Sequence, residues 1–65
     1  MDIYTIRKYA INQQIVANLL GVSLSAVTLY MHGKRATPLR AENLTIEDIK
    51  QANRDYLFNK YKDFI

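Results

Sequence analysis

Two serines, one histidine and no cysteine give this 65-residue chain little for nucleophilic catalysis or soft-metal ligation. His32 cannot build a metal site alone, and without cysteine there is neither a disulfide nor a zinc–thiolate site. Glu47 and Asp48 stand where the first turn of a helix would begin, a place where carboxylates suit the helix dipole. The expectation is a protein that is not an enzyme and needs no cofactor. The side chains between residues 23 and 35 offer recognition instead. At about 100° per residue, Leu24, Ser25, Thr28, Leu29 and His32 fall on one side of a helix, and Ala26, Val27, Tyr30 and Met31 on the other. The first of these faces is short, uncharged and partly hydroxylic, which lets it approach base edges in the major groove of DNA. Lys34 and Arg35 follow at once, where phosphates would flank that groove.

A reading face needs elements that hold it, and residues 13–30 have the pattern of a tight helix-turn-helix. Two helices that cross steeply need a small residue at their closest approach, and Ala17 supplies it. The turn needs a residue that tolerates positive φ, and Gly21 follows four residues later. Val22 is placed to plug the angle between the helices. Val27 and Tyr30, with Ala26 and Met31, are placed to pin the second helix inward. Val16 and Leu20 complete the inner face of the first. Ser23 stands where an N-cap belongs.

Charge supports an anionic partner. The net charge is +3. Residues 1–41 carry Arg7, Lys8, Lys34, Arg35 and Arg40 against Asp2 alone. In residues 42–65, four basic side chains meet five acidic ones. A basic half beside a nearly neutral tail suits nucleic acid on one face. Arg40 has two readings, as a phosphate contact or as a partner for the neighbourhood of Glu42.

The run Gln13, Ala17, Gly21-Val22, Ser25-Ala26-Val27 and Tyr30, followed by His32-Gly33-Lys34-Arg35, resembles the phage Cro and C-repressor class of helix-turn-helix transcriptional regulators. The resemblance spans roughly residues 3–40. It implies a small Cro/repressor-like bundle, phage or prophage regulation, and a second motif helix that enters the major groove. It places Ser23, Leu24, Ser25, Thr28, Leu29 and His32 at groove-facing positions, and Gln13 at a phosphate-contacting one. Many members carry Gln, Asn, Arg or Lys on the groove face, where Leu24 and Leu29 stand here. These leucines are suited to thymine methyl groups or to a protein partner. His32 is suited to a phosphate or base, or to capping carbonyls at the helix end.

The remaining punctuation predicts one all-α domain of four to five helices, with a head over residues 1–40 and a C-terminal helix over 45–65. Asp2 can cap a helix from Ile3 to Ala10, and Asn12 one from Gln13 to Leu20 that Gly21 ends. Ser23 can cap Leu24 to about His32, with Gly33 as the stop. Pro38 lies in a loop or opens a short turn over Leu39 to Asn43. Thr45-Ile46-Glu47-Asp48 resembles a capping box. Beyond it Ile46, Ile49, Ala52, Tyr56, Leu57, Tyr61 and Phe64 share half of a helical wheel, with Phe58 and Ile65 off that stripe. The competing reading of the tail from Tyr56 to Ile65 is strand, but no hairpin turn such as Asn-Gly follows Gly33. The five tyrosines are dispersed at helical spacing, which suits core and interface roles better than base stacking.

A chain this short buries only about 60% of its unfolded surface, so a second chain is the natural source of added stability. The tail offers the material, because the head is too small to cover so long an apolar stripe. The expected partners are a second copy, forming a homodimer, and a palindromic duplex operator. Ile15 and Leu19 form an apolar flank expected to pack on the first or last helix, and are the next candidates for a dimer contact. No apolar run approaches the ~18 residues of a membrane span, and Met1-Asp2-Ile3-Tyr4 lacks the plan of a signal peptide. The expected compartment is the cytoplasm. The alternative function is a protein-interaction module, such as an antitoxin or antirepressor-like protein.

Overall fold

A computed structural model describes residues 1–62; Asp63, Phe64 and Ile65, and with them the last part of the tail's apolar stripe, lie outside the described residues. The described chain is all-α: α1 (Ile3–Tyr9), α2 (Gln13–Leu20), α3 (Leu24–Met31), a 3₁₀ turn (Leu39–Asn43) and α4 (Ile46–Tyr61). The region from Tyr56 to Tyr61 is thus helix and not strand.

Side chains fix where each α-helix begins. The Asp2 carboxylate accepts from the Thr5 amide at 2.8 Å, the Asn12 side chain from Ile15 at 3.1 Å, and Ser23 Oγ from Ala26 at 3.2 Å. Thr45 and Asp48 form a reciprocal box: Thr45 Oγ1 accepts from the Asp48 amide and Asp48 Oδ2 accepts from the Thr45 amide. Each cap satisfies an amide the helix cannot pair internally and so favours the start of its helix. The stops of α2 and α3 are glycines in the left-handed region, Gly21 at φ 67° and Gly33 at φ 69°. After α2, the amide of Val22 reaches back to the carbonyl of Ala17 at 3.0 Å and that of Gly21 to Asn18 at 3.4 Å. After α3, Lys34 bonds Leu29 at 2.9 Å and Gly33 bonds Tyr30 at 3.1 Å. Both helices therefore close with the same pair of backward hydrogen bonds, which only a residue content with positive φ makes easily.

These short helices survive through packing, since eight-residue helices are marginal alone. Ile6, Ile15, Val16, Val27 and Ile49 are fully buried, so all four α-helices supply the core. Burial of each such side chain stabilises the fold by about 1.5–3 kcal/mol. Ile15, the candidate flank for a dimer contact, is only 1% exposed and is consumed by the core, which removes it from that role. Leu19 is half-buried beside α4.

The apolar stripe of α4 divides around its circumference. Ile49 is buried and Ala52 and Tyr56 pack partly on the head, whereas Leu57 and Tyr61 are exposed. At about 100° per residue Leu57 and Tyr61 are turned to a side of the helix away from Ile49, Ala52 and Tyr56, while Asn59 and Lys60 further along still border a depression with Asn18 and Leu19 of α2.

No single helix among the described residues is long and apolar enough to cross a membrane. The pair α2 and α3 would suffice by length and composition only when joined, and it bends by 100° between them.

Candidate nucleic-acid interface

The α2–α3 angle of 100° lies within the range of helix-turn-helix units. Its inner corner is closed as the chemistry of the turn demands. Ala17 is 1% exposed, where a larger side chain would hold the helices apart. Val22 packs partly against the core. Val27 and Tyr30 hold α3 inward at 0% and 6% exposure. That leaves the other side of α3 to solvent.

On that side Thr28, Leu29, His32 and Lys34 line one shallow depression of about 200 Å³. Leu24, Ser25 and Thr28 are exposed along the helix, and Leu29 is half-buried. Ser23, at the head of the same helix, accepts from the Ala26 amide with one lone pair and keeps its hydroxyl proton to donate. Thr28 Oγ1 sits 3.5 Å from the Leu24 carbonyl, a long bond that an external acceptor can replace. His32 is the C-cap of α3, with its own amide bonded to the Thr28 carbonyl and its ring exposed. Lys34 and Arg35 are exposed immediately beyond. Gln13 is half-buried at the first position of α2.

Arg40 is placed apart from this group. Its guanidinium lies over Gly21, with Nη1 3.1 Å from the point a Cβ there would occupy. Around it are Asn18, Leu19, Leu44, Asp48, Gln51, Ala52 and Asp55, on the α2–α4 side of the domain. Arg40 is exposed and shares a depression with Asp48 and Asp55, on a different side of the domain from Lys34 and Arg35.

Two positioning residues have no signal in the local pattern. Tyr4 Oη donates to the Met31 carbonyl at 2.8 Å, tying α1 to the C-terminal end of α3. Asn53 of α4 holds the α1–α2 connection through bonds to Tyr9 and Ile11. Both contacts join residues far apart in the chain, so no short spacing marks them.

Electrostatically the site is free of internal neutralisation. The ion pair recorded among the described residues is Lys50–Glu47 at 3.9 Å, on α4. Lys34, Arg35, Arg7 and Lys8 enter none there, so their charge is available to an outside anion. The chain matches no protein-family model, no curated protein and no solved structure, and the site stands on its own geometry.

Proposed function

We propose that the chain is a sequence-specific double-stranded DNA-binding regulator of transcription, acting as a Cro-like repressor in the cytoplasm, with α3 inserted in the major groove. The observation that carries this reading is the pairing of a 100° helix corner with an exposed, uncharged, hydroxylic face on its second helix. Ser25 and Thr28 are short enough for the helix to sit deep, and their hydroxyls both donate and accept. Leu24 and Leu29 meet thymine methyl groups. Lys34 and Arg35, at the end of the same helix, meet phosphates, and Gln13 at the start of α2 meets the phosphate on the other flank. Recognition of a palindromic operator by two copies doubles the sequence that is read. A single short helix covers too few base pairs to find one site in a genome.

Titration of duplex DNA at several salt concentrations tests the reading. A groove binder with several phosphate contacts loses affinity steeply as salt rises. A flat salt response, or no duplex binding at low salt, overturns it. That result favours the second reading, a protein-interaction module of antitoxin or antirepressor type. Its support is Leu24, 47% exposed on the face that would otherwise touch bases.

A further inference from the structure

The outer face of α3 lacks the side chains that tell one base from another by paired hydrogen bonds. In the major groove guanine is defined by Arg or Lys on O6 and N7, and adenine by Asn or Gln on N6 and N7. None of these four residue types occurs between residues 24 and 32. At about 100° per residue, Leu24 and Leu29 border the outer arc, with Ser25, Thr28 and His32 between them. Leu24 is 47% exposed. Leu29 is half-buried and lines the depression of about 200 Å³ with Thr28, His32 and Lys34. One edge of that depression is cationic. Lys34 lines it and Arg35 follows, both exposed and neither in an ion pair recorded among the described residues. An apolar arc with a cationic edge is complementary to a base edge flanked by phosphates.

Of the groups a base pair shows in the major groove, leucine can meet one favourably, the C5 methyl of thymine. The neighbouring hydroxyls do not sharpen the choice. Thymine carries an acceptor at O4, and cytosine a donor at N4. A hydroxyl both donates and accepts, so Ser25 and Thr28 satisfy either base. Discrimination between thymine and cytosine on this face then falls to the methyl group. Cytosine methylated at C5 presents a methyl at the same place on the groove edge, because C5 is the same ring position in both pyrimidines.

We infer that α3 recognises pyrimidines by their C5 methyl group, and that duplex DNA carrying 5-methylcytosine is a ligand class of this protein. Methylated cytosine is read as thymine wherever Leu24 or Leu29 meets the base. The inference rests on the proposed function and deepens it. Occupancy of a site then depends on covalent methylation of cytosine as well as on sequence. A site with cytosine in place of a contacted thymine is weak when bare and restored when methylated.

The operator selected from a random duplex library is the probe, titrated with the full chain at one low salt concentration. Each thymine is replaced in turn by deoxyuridine, which removes the methyl alone. Cytosine and 5-methylcytosine, each paired with guanine, are then placed at the same positions. Where a leucine meets the base, deoxyuridine should weaken binding about fourfold, the contribution of one buried methyl group. Cytosine should weaken it at least as much, and 5-methylcytosine should recover most of that loss. In Leu24→Ala or Leu29→Ala, the difference between thymine and deoxyuridine should vanish at that residue's own position and persist at the other. Circular dichroism checks the folding of both variants, and the exposed Leu24 carries the test where Leu29→Ala loosens the helix. Deoxyuridine bound as tightly as thymine at every position overturns the inference, as does 5-methylcytosine bound no better than cytosine, or a selected operator without thymine. A methyl effect unchanged in both variants overturns its assignment to the leucines. These results leave the proposed function standing, because the unmodified operator still binds. A chain that binds no unmodified duplex overturns the function and the inference together.

Discussion

Asn53 accepts the backbone amide of Ile11 through its Oδ1 at 3.1 Å, across 42 residues of chain. Its Nδ2 meanwhile donates to the Tyr9 carbonyl at 2.9 Å. One amide side chain on α4 thereby supplies a donor to the last residue of α1 and an acceptor to the connection that follows it. Replacement by Ala returns both groups to water at this exposed site, so the cost is small, about 1 kcal/mol. The change should show as a lower unfolding midpoint, with faster hydrogen exchange of the Ile11 amide in particular. Unchanged protection of that amide would mean the clasp does not form in solution.

The turn of the helix-turn-helix gives a sharper prediction. Gly21 stands at φ 67°, and a Cβ there meets Arg40 Nη1 at 3.1 Å. Two costs are therefore possible, but they differ in kind. The guanidinium is the free end of a long side chain and can move aside. The backbone conformation cannot, because Val resists positive φ. Gly21→Val should destabilise by more than about 1 kcal/mol, and adding Arg40→Ala should recover little of it. Gly33, at φ 69° with nothing within 4 Å, bears the backbone cost alone, so Gly33→Asn should be mild. Thermal unfolding of the three variants decides; a large rescue by Arg40→Ala would put the strain in the contact instead of the turn.

Much of this architecture was legible in the sequence because it is local. Asp2, Asn12, Ser23 and Thr45 each bond an amide three residues on, so the cap and its helix lie within one window of chain. Gly21 and Gly33 mark their stops for the same reason. The motif residues Ala17, Val22, Val27 and Tyr30 are governed by one corner, which a run of 18 residues contains. Contacts between distant segments left no such trace. The bonds of Tyr4 to Met31 and of Asn53 to Ile11 join side chains whose types are ordinary on exposed helices. Arg40 carries the same charge whether it meets a phosphate or lies over Gly21, and only the path of the 3₁₀ turn decides. The α4 stripe read as one face because half of a helical wheel was counted as apolar, and the contact with the head is narrower than that. Leu57 is turned about 80° around the helix from Ile49, enough to leave the buried side.

Acid should loosen α1 first through its cap. Hydrogen bonds from the backbone amide of Thr5, and then from its hydroxyl, hold the Asp2 carboxyl below its ordinary range. A group whose pKa is lower in the folded state adds stability above its unfolded pKa, and that contribution is lost as pH falls through the folded value. The gap in unfolding midpoint between wild type and Asp2→Ala should therefore be full near neutrality. It should narrow as pH is taken below the usual carboxylate range. A gap that persists unchanged in acid would assign the effect of the substitution to something other than the charged cap.

The last prediction separates positions that read sequence from those that only hold the duplex. Ser25 and Thr28 are exposed on α3 and carry no charge, so under the proposed function they act through short contacts that depend on which base is present. Replacing either with Ala should weaken binding to the selected operator by about 1–3 kcal/mol where a base contact is lost. Binding to random duplex should change little. Lys34 and Arg35 are exposed, carry full charge and enter no recorded ion pair among the described residues. Their replacement with Ala should weaken operator and random duplex alike, and should lower the salt slope by about one for each phosphate contact removed. Arg40, whose guanidinium lies over Gly21 on the α2–α4 side, should leave that slope nearly unchanged when replaced. Selection of bound sites from a random duplex library supplies the operator, and fluorescence anisotropy at three salt concentrations supplies the slopes. Equal losses on both kinds of DNA for Thr28→Ala would remove base reading from α3. A slope insensitive to Lys34 and Arg35 would remove the basic segment from the interface, and a slope that falls with Arg40 would show that its guanidinium leaves the turn to meet the duplex.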